Sequence, residues 1–364
     1  VDTHLFPGHR SGTVAPMGDQ LRVGFLGAGL IATYHSKSLR RSAAPVERVG
    51  VYDPDPQRAA MFARASGHTV MANEDDVLDS CDAVYVCTWT SEHPRQVEKA
   101  AARRIAIFCE KPLAFDVATA ERMAATVMEH EVVNQVGLVL RRSPAYLWAK
   151  HLIEDRASGE VMGVVFRDDQ FIPIQGHYDS TWRGDRSLAG AGTLLEHSIH
   201  DVDMLRVLIG DIQRVSAHTA NLHGHDGIED IATATLRFSN GALGTLASTW
   251  HDNLSRPSMR RVEIFCERRH IVIEGDDWYG PVTWSNSDGD VHTLAGTELS
   301  TAVDPLRDGF ENPDAQFVAD VLAGNAATPD FADAVDAHRI IEAMYASAAG
   351  DGASIEVQVA VADA

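Results

Sequence analysis

Lysine is nearly missing from this chain. Lys37, Lys99, Lys111 and Lys150 are the whole supply, and positive charge is otherwise left to arginine. Positive charge is itself outnumbered, leaving a formal net charge of -21 at pH 7. Nucleic acid and anionic membrane are thereby excluded as expected partners, since both would be repelled, and an anionic small ligand would need a locally positive site. Cysteine is equally sparse. Cys81, Cys87, Cys109 and Cys266 show no C-x-x-C spacing, and three lie in apolar strand-like runs. They read as buried, reduced thiols in a cytoplasmic protein. No apolar run approaches the length of a membrane span, and no charged-then-apolar signal pattern opens the chain. Internal repeats and low-complexity tracts are lacking too. What remains is 364 residues of ordinary globular composition, comfortable for two domains with sizeable cores.

Against that scarcity, the position of Lys111 stands out. Residues 105–109 (IAIFC) form an apolar run that passes straight into Glu110-Lys111-Pro112. The proline biases Lys111 towards extended backbone, which predicts the lysine at the carboxyl end of a buried parallel strand. In open α/β sheets that end is where ligands bind. A solvated loop lysine is the plain alternative, and the flanking segments decide between the two.

Residues 1–20 are polar and punctuated by glycine and proline, which predicts a tail. Residues 21–26 form a short strand that breaks into Gly27-Ala28-Gly29-Leu30-Ile31-Ala32 and then a helical run. A strand, G-x-G-x-x-A and a helix are the dinucleotide fingerprint in its required context. The first glycine permits the tight turn and the second lets amides approach a pyrophosphate. Leu30 and Ile31 open the helix whose positive N-terminus faces the phosphates. The next strand ends in Asp53, whose carboxylate suits the two hydroxyls of an adenosine ribose and would repel a 2′-phosphate. The expected cofactor is NAD. Strand and helix patterns keep alternating to a strand expected over residues 134–140, implying a doubly wound parallel sheet over residues 21–142.

From residue 143 the pattern changes. A helix over 143–155 and strands over 161–167, 214–219, 231–238, 242–250, 262–266 and 270–274, joined by short turns, predict a largely antiparallel open sheet. Two amphipathic helices close the chain, and they are expected to pack back on the first domain. The expected fold class is α/β: a Rossmann domain over 21–142, then an α+β substrate and oligomerisation domain over 143–364. Within the second, a glycine-rich turn enters a helix carrying Glu196, His197, His200, Asp201 and Asp203. Glu196 and His200, four apart, are expected on one face. A capping box, Thr193-Leu194-Leu195-Glu196, would account for Glu196 without chemistry. It does not account for two histidines at that end of a helix. A metal site on Glu196, His197 and His200 fits by spacing, but no fourth ligand cluster accompanies it, so no metal is expected.

Together the Gly27-Ala28-Gly29 turn, Glu110-Lys111-Pro112, Trp182-Arg183 and Glu196-x-x-x-His200-Asp201-x-Asp203 resemble the Gfo/Idh/MocA family of NAD(P)-dependent sugar and cyclitol oxidoreductases. The resemblance covers the chain from about Leu21. It implies that Lys111 binds the substrate hydroxyl and that His200 is the general acid/base. Glu196 stands where the family usually has aspartate. The family's T-P-N-x-x-H loop reads here as Thr88-Trp89-Thr90-Ser91-Glu92-His93, departing at Trp89 and Thr90. Thr88, His93, Glu110 and Lys111 are then expected at the cofactor. Arg142, Trp182, Arg183 and His197 are expected to join Lys111, Glu196 and His200 around the substrate. Histidine suits removal of a hydroxyl proton, a lysine cation stabilises the developing charge, and Glu196 could hold the imidazole in one tautomer. The expected function is NAD-dependent hydride transfer from a secondary hydroxyl of a sugar, sugar derivative or cyclitol. The alternatives are a glycoside-processing enzyme that uses NAD transiently and a non-catalytic, sugar-responsive NAD-binding regulator. A homodimer or homotetramer formed through the second sheet is expected.

Overall fold

Six short strands pair in parallel in the first half of the chain. They are β1 (Leu21–Leu26), β2 (Val46–Tyr52), β3 (Thr69–Val70), β4 (Ala83–Val86), β5 (Ala106–Cys109) and β6 (Asn134–Val136). Their spatial order is β3-β2-β1-β4-β5-β6. The structure is a computed structural model that describes residues 20–175, 180–253, 255–276, 278–310 and 312–358. The expected tail, apart from Gln20, lies outside the described residues. Helices α1 (Leu30–Arg41), α2 (Pro56–Ser66), α3 (Glu74–Leu78), α4 (His93–Ala102) and α5 (Val117–Glu129) connect the strands. Asp55, Asn73 and Asp116 start α2, α3 and α5 by accepting hydrogen bonds from first-turn amides. β4 and β5 are buried throughout, as strands covered on both faces must be. The strand order reverses between β1 and β4, so a crevice opens outside their carboxyl ends.

The strand expected over residues 134–140 stops at Val136. A Cβ on Gly137 would lie 2.5 Å from Glu110 Oε1, so the chain bends around a buried carboxylate there. Val139–Arg142 then form a 3-10 turn instead of strand.

The second half begins with α6 (Pro144–Glu154) and β7 (Val161–Phe171), followed by α7 (Arg186–Ala189), α8 (Thr193–Glu196) and α9 (Ile199–Ile209). Seven strands follow: β8 (Ile212–Ala220), β9 (Ile231–Phe238), β10 (Leu243–His251), β11 (Met259–Cys266), β12 (Arg269–Asp276), β13 (Gly280–Asn286) and β14 (Val291–Leu294). After α10 (Gly296–Val303), α11 (Pro313–Ala323) and α12 (Phe331–Ala349) comes β15 (Ile355–Glu356). The nine strands lie in the order β14-β13-β12-β11-β7-β10-β9-β8-β15. Every neighbouring pair is antiparallel except β7 and β10. A parallel sheet followed by a large, mostly antiparallel one is the fold class that the patterning predicts. β7 runs past its expected end at residue 167, because the acidic residues that follow find cationic partners: Asp168 pairs with Arg260 at 3.1 Å and Asp169 with Arg256 at 2.6 Å.

The last two long helices tie the halves together. Phe317 and Val318 of α11 join the core on one face of the first sheet, and Phe331, Ala334 and Val335 of α12 join the core on the other. Further along α12, Ile340, Ile341 and Met344 enter the core beneath the second sheet, with α6 and α9. Fully burying a side chain such as Phe331 stabilises by about 1.5–3 kcal/mol, so one helix contributes to two cores at once. No helix among the described residues is long and apolar enough to cross a membrane.

Candidate active site

The crevice at the carboxyl ends of β1 and β4 continues into a cleft of about 600 Å³ that reaches the second sheet. Its floor at the first sheet is the glycine turn. Gly27 has φ +88°, and a Cβ there would meet the Cys87 carbonyl oxygen at 2.5 Å, so no other residue fits. Gly29 caps α1 without any side-chain hydrogen bond, and the space its Cβ would occupy is empty. The first amides of α1 therefore face the cleft, flanked by Leu30 and Ile31, which are 51% and 37% exposed. Asp53 lines the same end. Its carboxylate is fixed by the Ala28 amide, which donates at 2.8 Å, and by the Asp55 amide at 2.9 Å. Thr88 lines the cleft and donates from Oγ1 to Gln96 Oε1 at 2.6 Å. The turn, the uncapped helix start and the carboxylate together fit a dinucleotide.

His93 does not face the cleft. It is 1% exposed, with Nδ1 2.9 Å from the Pro112 carbonyl oxygen and Nε2 3.3 Å from that of Thr88. It staples two cleft loops together and touches the cofactor space only through them. Glu110 lines the cleft but is committed elsewhere. Its Oε1 lies 2.8 Å from His35 Nε2, and His35 Nδ1 lies 2.7 Å from Asp314 Oδ1. Burial alone would lower the His35 pKa, but Asp314 and Glu110 on either side override it and push it up to about 10. This ion triplet joins α1, the end of β5 and α11.

Lys111 reaches across to the second domain. Its Nζ donates to the Glu196 backbone carbonyl at 2.6 Å and lies 3.8 Å from Glu196 Oε2. Arg183 Nε donates to the same Oε2 at 2.9 Å, while its guanidinium lies 4.5 Å over the Trp182 ring. Burial would raise the Glu196 pKa, yet Arg183 and Lys111 outweigh it and hold the carboxyl below its ordinary value. The expected role of Glu196 in orienting His200 is thus corrected: its carboxylate serves two cations. The expected single helix is corrected too. α8 ends at Glu196 and α9 starts at Ile199, with His197 and Ser198 in the break. There is no capping box, because Thr193 Oγ1 bonds Ser248 Oγ at 2.8 Å and the α8 amides of Gly192 and Leu194 donate to Glu229.

His200 lines the cleft at 9% exposure, and its Nδ1 has no hydrogen-bond partner among the described residues. Burial, followed by the charges of Lys111 and Arg260, holds its pKa well below the ordinary histidine value. The adjacent His197 is tied down, with Nε2 2.8 Å from Asp168 Oδ2 and 2.9 Å from Arg260 Nη2. Burial and Arg260 lower it to about 3. Arg260 Nε also donates to Asp201 Oδ1 at 2.8 Å. Arg142 is not among the residues lining the cleft. Its guanidinium donates to Gln316 and to the Arg307 carbonyl, so the expected substrate contact is corrected to a tie between the first domain and α11. Trp89, Gln170 and Trp250 line the cleft without having been expected there.

Two family models match in succession. The oxidoreductase family, NAD-binding Rossmann fold model of Gfo/Idh/MocA covers residues 21–138, and the Gfo/Idh/MocA C-terminal domain covers residues 146–272. The chain belongs to the Gfo/Idh/MocA oxidoreductase family. It is 28% identical to the uncharacterised oxidoreductase YrbE of Bacillus subtilis, over 93% of this chain and 98% of that protein. To the scyllo-inositol 2-dehydrogenase (NAD(+)) of the same organism it is 32% identical, over 64% of this chain and 68% of the relative. Among solved structures it is similar in fold to levoglucosan dehydrogenase in complex with NADH and levoglucosan. That similarity has a TM-score of 0.83 at 23% identity, over 93% of this chain and 100% of that one. The chain is an NAD-dependent dehydrogenase, and its glycine turn and Asp53 match the dinucleotide fingerprint. At Trp89 and Thr90 it departs from the family's loop. Thr90 is buried at 1% exposure, and Trp89 puts an indole in the cleft wall.

Proposed function

We propose that this dehydrogenase oxidises a secondary hydroxyl of a sugar, sugar derivative or cyclitol. One observation carries the reading: a single cleft holds the uncapped glycine turn at one end, and Lys111 and His200 at the other. Relatives named as inositol and levoglucosan dehydrogenases direct the choice of substrate class. NAD, when bound, supplies the hydride acceptor. Asp53, anchored by two amides, binds a ribose diol and repels a 2′-phosphate. Lys111 presents its remaining N–H donors to the reacting oxygen and stabilises the negative charge that develops on it. His200, kept neutral by burial and by neighbouring cations, takes the hydroxyl proton. Glu196 offsets the charge of Lys111 and Arg183 and fixes both side chains towards the cleft.

The outer face of the second sheet fits a second copy of the chain. Leu243 and Phe265 flank Gly163 in register on adjacent strands, with Val165 beside them, and the three are 62%, 38% and 44% exposed. A homodimer or homotetramer through that face, and a reducing cytoplasm for the four buried free thiols, complete the reading.

The test is NADH absorbance with the purified protein, NAD, and a panel of inositols, aldoses and levoglucosan. Absorbance rises with at least one of them, and Lys111→Ala abolishes the rise. No turnover with any polyol sinks the proposal. Product formed from a glycoside without net NADH favours transient use of the cofactor.

A further inference from the structure

We propose that Gln170 and Trp250 form a second polar subsite in the cleft, which takes a hydroxyl of the substrate other than the one oxidised. The proposal rests on the polyol reading above and names how such a substrate is told from its isomers.

β7 and β10 are the one parallel pair among the described strands of the second sheet, so both carboxyl ends point the same way. Gln170 and Trp250 are direct register partners near those ends and stand side by side on one face. Both line the cleft. Gln170 is 8% exposed and Trp250 is 1% exposed. Gln170 Oε1 and Trp250 Nε1 are buried and have no hydrogen-bond partner among the described residues. One step back along the same strands lie Asp168 and Ser248, which are satisfied: Arg260 Nη2 is 3.1 Å from Asp168, and Thr193 Oγ1 is 2.8 Å from Ser248 Oγ. Gln170 Oε1 and Trp250 Nε1 are thus two unmet polar atoms on neighbouring strands where the sheet meets the cleft.

Native proteins rarely leave buried polar groups unpaired, and two together on a ligand cleft mark what the ligand supplies. The indole N–H needs an acceptor and the amide oxygen needs a donor. A hydroxyl provides both from one atom. A carboxylate would satisfy the indole and set negative charge against the amide oxygen, and a methylene would satisfy neither. The subsite thus rejects a substrate lacking that one hydroxyl, as sites with committed polar groups do.

The experiment compares wild type, Gln170→Met and Trp250→Phe on a polyol that wild type turns over and on its monodeoxy analogues, with NADH binding by fluorescence as the check on folding. Contacts made equally in ground and transition state act on KM. Each variant is expected to raise KM for the parent polyol about 10- to 100-fold with kcat within about 3-fold. One deoxy analogue should cost wild type a similar factor and cost the variants nothing further. The subsite is refuted if every deoxy penalty in the variants equals that in wild type, or if kcat falls while KM holds. If Trp250→Phe does not fold, Gln170→Met alone decides. If wild type turns over no polyol, the polyol reading fails and the subsite with it. Normal wild-type turnover with unchanged variant penalties defeats the subsite alone.

Discussion

Lys111 Nζ is held at 2.6 Å from the Glu196 carbonyl, so one of its three donors is spent on aiming the other two. His200, buried and unpartnered at Nδ1, is poised as a base but cannot by itself stabilise the charge left on oxygen. The two therefore act as a unit. Lys111→Met and His200→Asn should each lower kcat/KM by about 10³-fold, and the double variant by no more than about tenfold further. NADH affinity should stay within a few-fold of wild type. Steady-state kinetics and fluorescence titration decide the matter, and losses that simply multiply would sink the pairing. Arg142 makes the contrasting case. Because it pairs with Gln316 and the Arg307 carbonyl, Arg142→Ala should cost about 1–3 kcal/mol of stability and leave KM within about 3-fold. A large rise in KM with unchanged melting temperature would restore it to the substrate pocket. The contrast shows what is legible in one sequence. Lys111 and His200 could be read because short motifs hold them at fixed spacing. Gln170, Asp168, Trp250 and Arg260 could not, because strand register across β7, β10 and β11 brings them together. A usable signal existed: the alternation of Val164 and Phe166 continues through Asp168 and Gln170 on the inner face.

The expected helix over Glu196 and His200 is two helices because a distant element intervenes. Glu229, just ahead of β9, accepts hydrogen bonds from the Gly192 and Leu194 amides at 2.8 and 2.9 Å and from Tyr345 Oη at 2.8 Å. It caps α8 in place of any local residue. No spacing rule places a cap 35 to 37 residues away, which is why the break stayed hidden while the alternating strands did not. The same approach makes Gly192 irreplaceable. A Cβ there would stand 1.9 Å from the Glu229 backbone oxygen, and two backbones must separate to admit it. Gly192→Ala should therefore destabilise by about 1–3 kcal/mol or more through overpacking. It should also lower kcat, since moving α8 moves the Glu196 carbonyl that aims Lys111. Thermal melting and steady-state turnover on the same sample test both halves. An unchanged kcat would uncouple the turn from the lysine.

For the whole molecule, buried histidines set how stability depends on pH, and they pull in opposite directions. Burial lowers His68, His197 and His338 to about 4, 3 and 4. Their folded values lie below the ordinary 6.5, so their contribution is present above that pH and is lost as pH falls through 4 to 3. Burial and Asp168 raise Asp201 to about 7, which favours the folded state at low pH and fades between about 4 and 7. Asp203 and Glu229, also raised by burial, act with Asp201, while carboxyls held down by cations, such as Glu74 at about 2 beside Arg95, act with the three histidines, and the acid arm falls. On the alkaline side His35 acts first, from about pH 6.5, and the thiols that burial pushes up, such as Cys81 at about 12, act only above their ordinary range. The folded value of His35, about 10, lies above 6.5, so its contribution is complete below 6.5 and drains away as pH rises to 10. At 4% exposure, between two carboxylates, it is worth on the order of a few kcal/mol at neutral pH. The melting temperature should accordingly peak near neutrality and fall on both sides. His35→Gln keeps hydrogen-bonding capacity but never carries charge, leaving Glu110 and Asp314 uncompensated at every pH. Its melting temperature should lie well below wild type at pH 6, and the gap should close as pH approaches 10, where wild type has lost the same charge. A gap that stays constant from pH 6 to 10 would mean that His35 is already neutral in the fold, and that Glu110 is held beside Lys111 by packing instead of by charge.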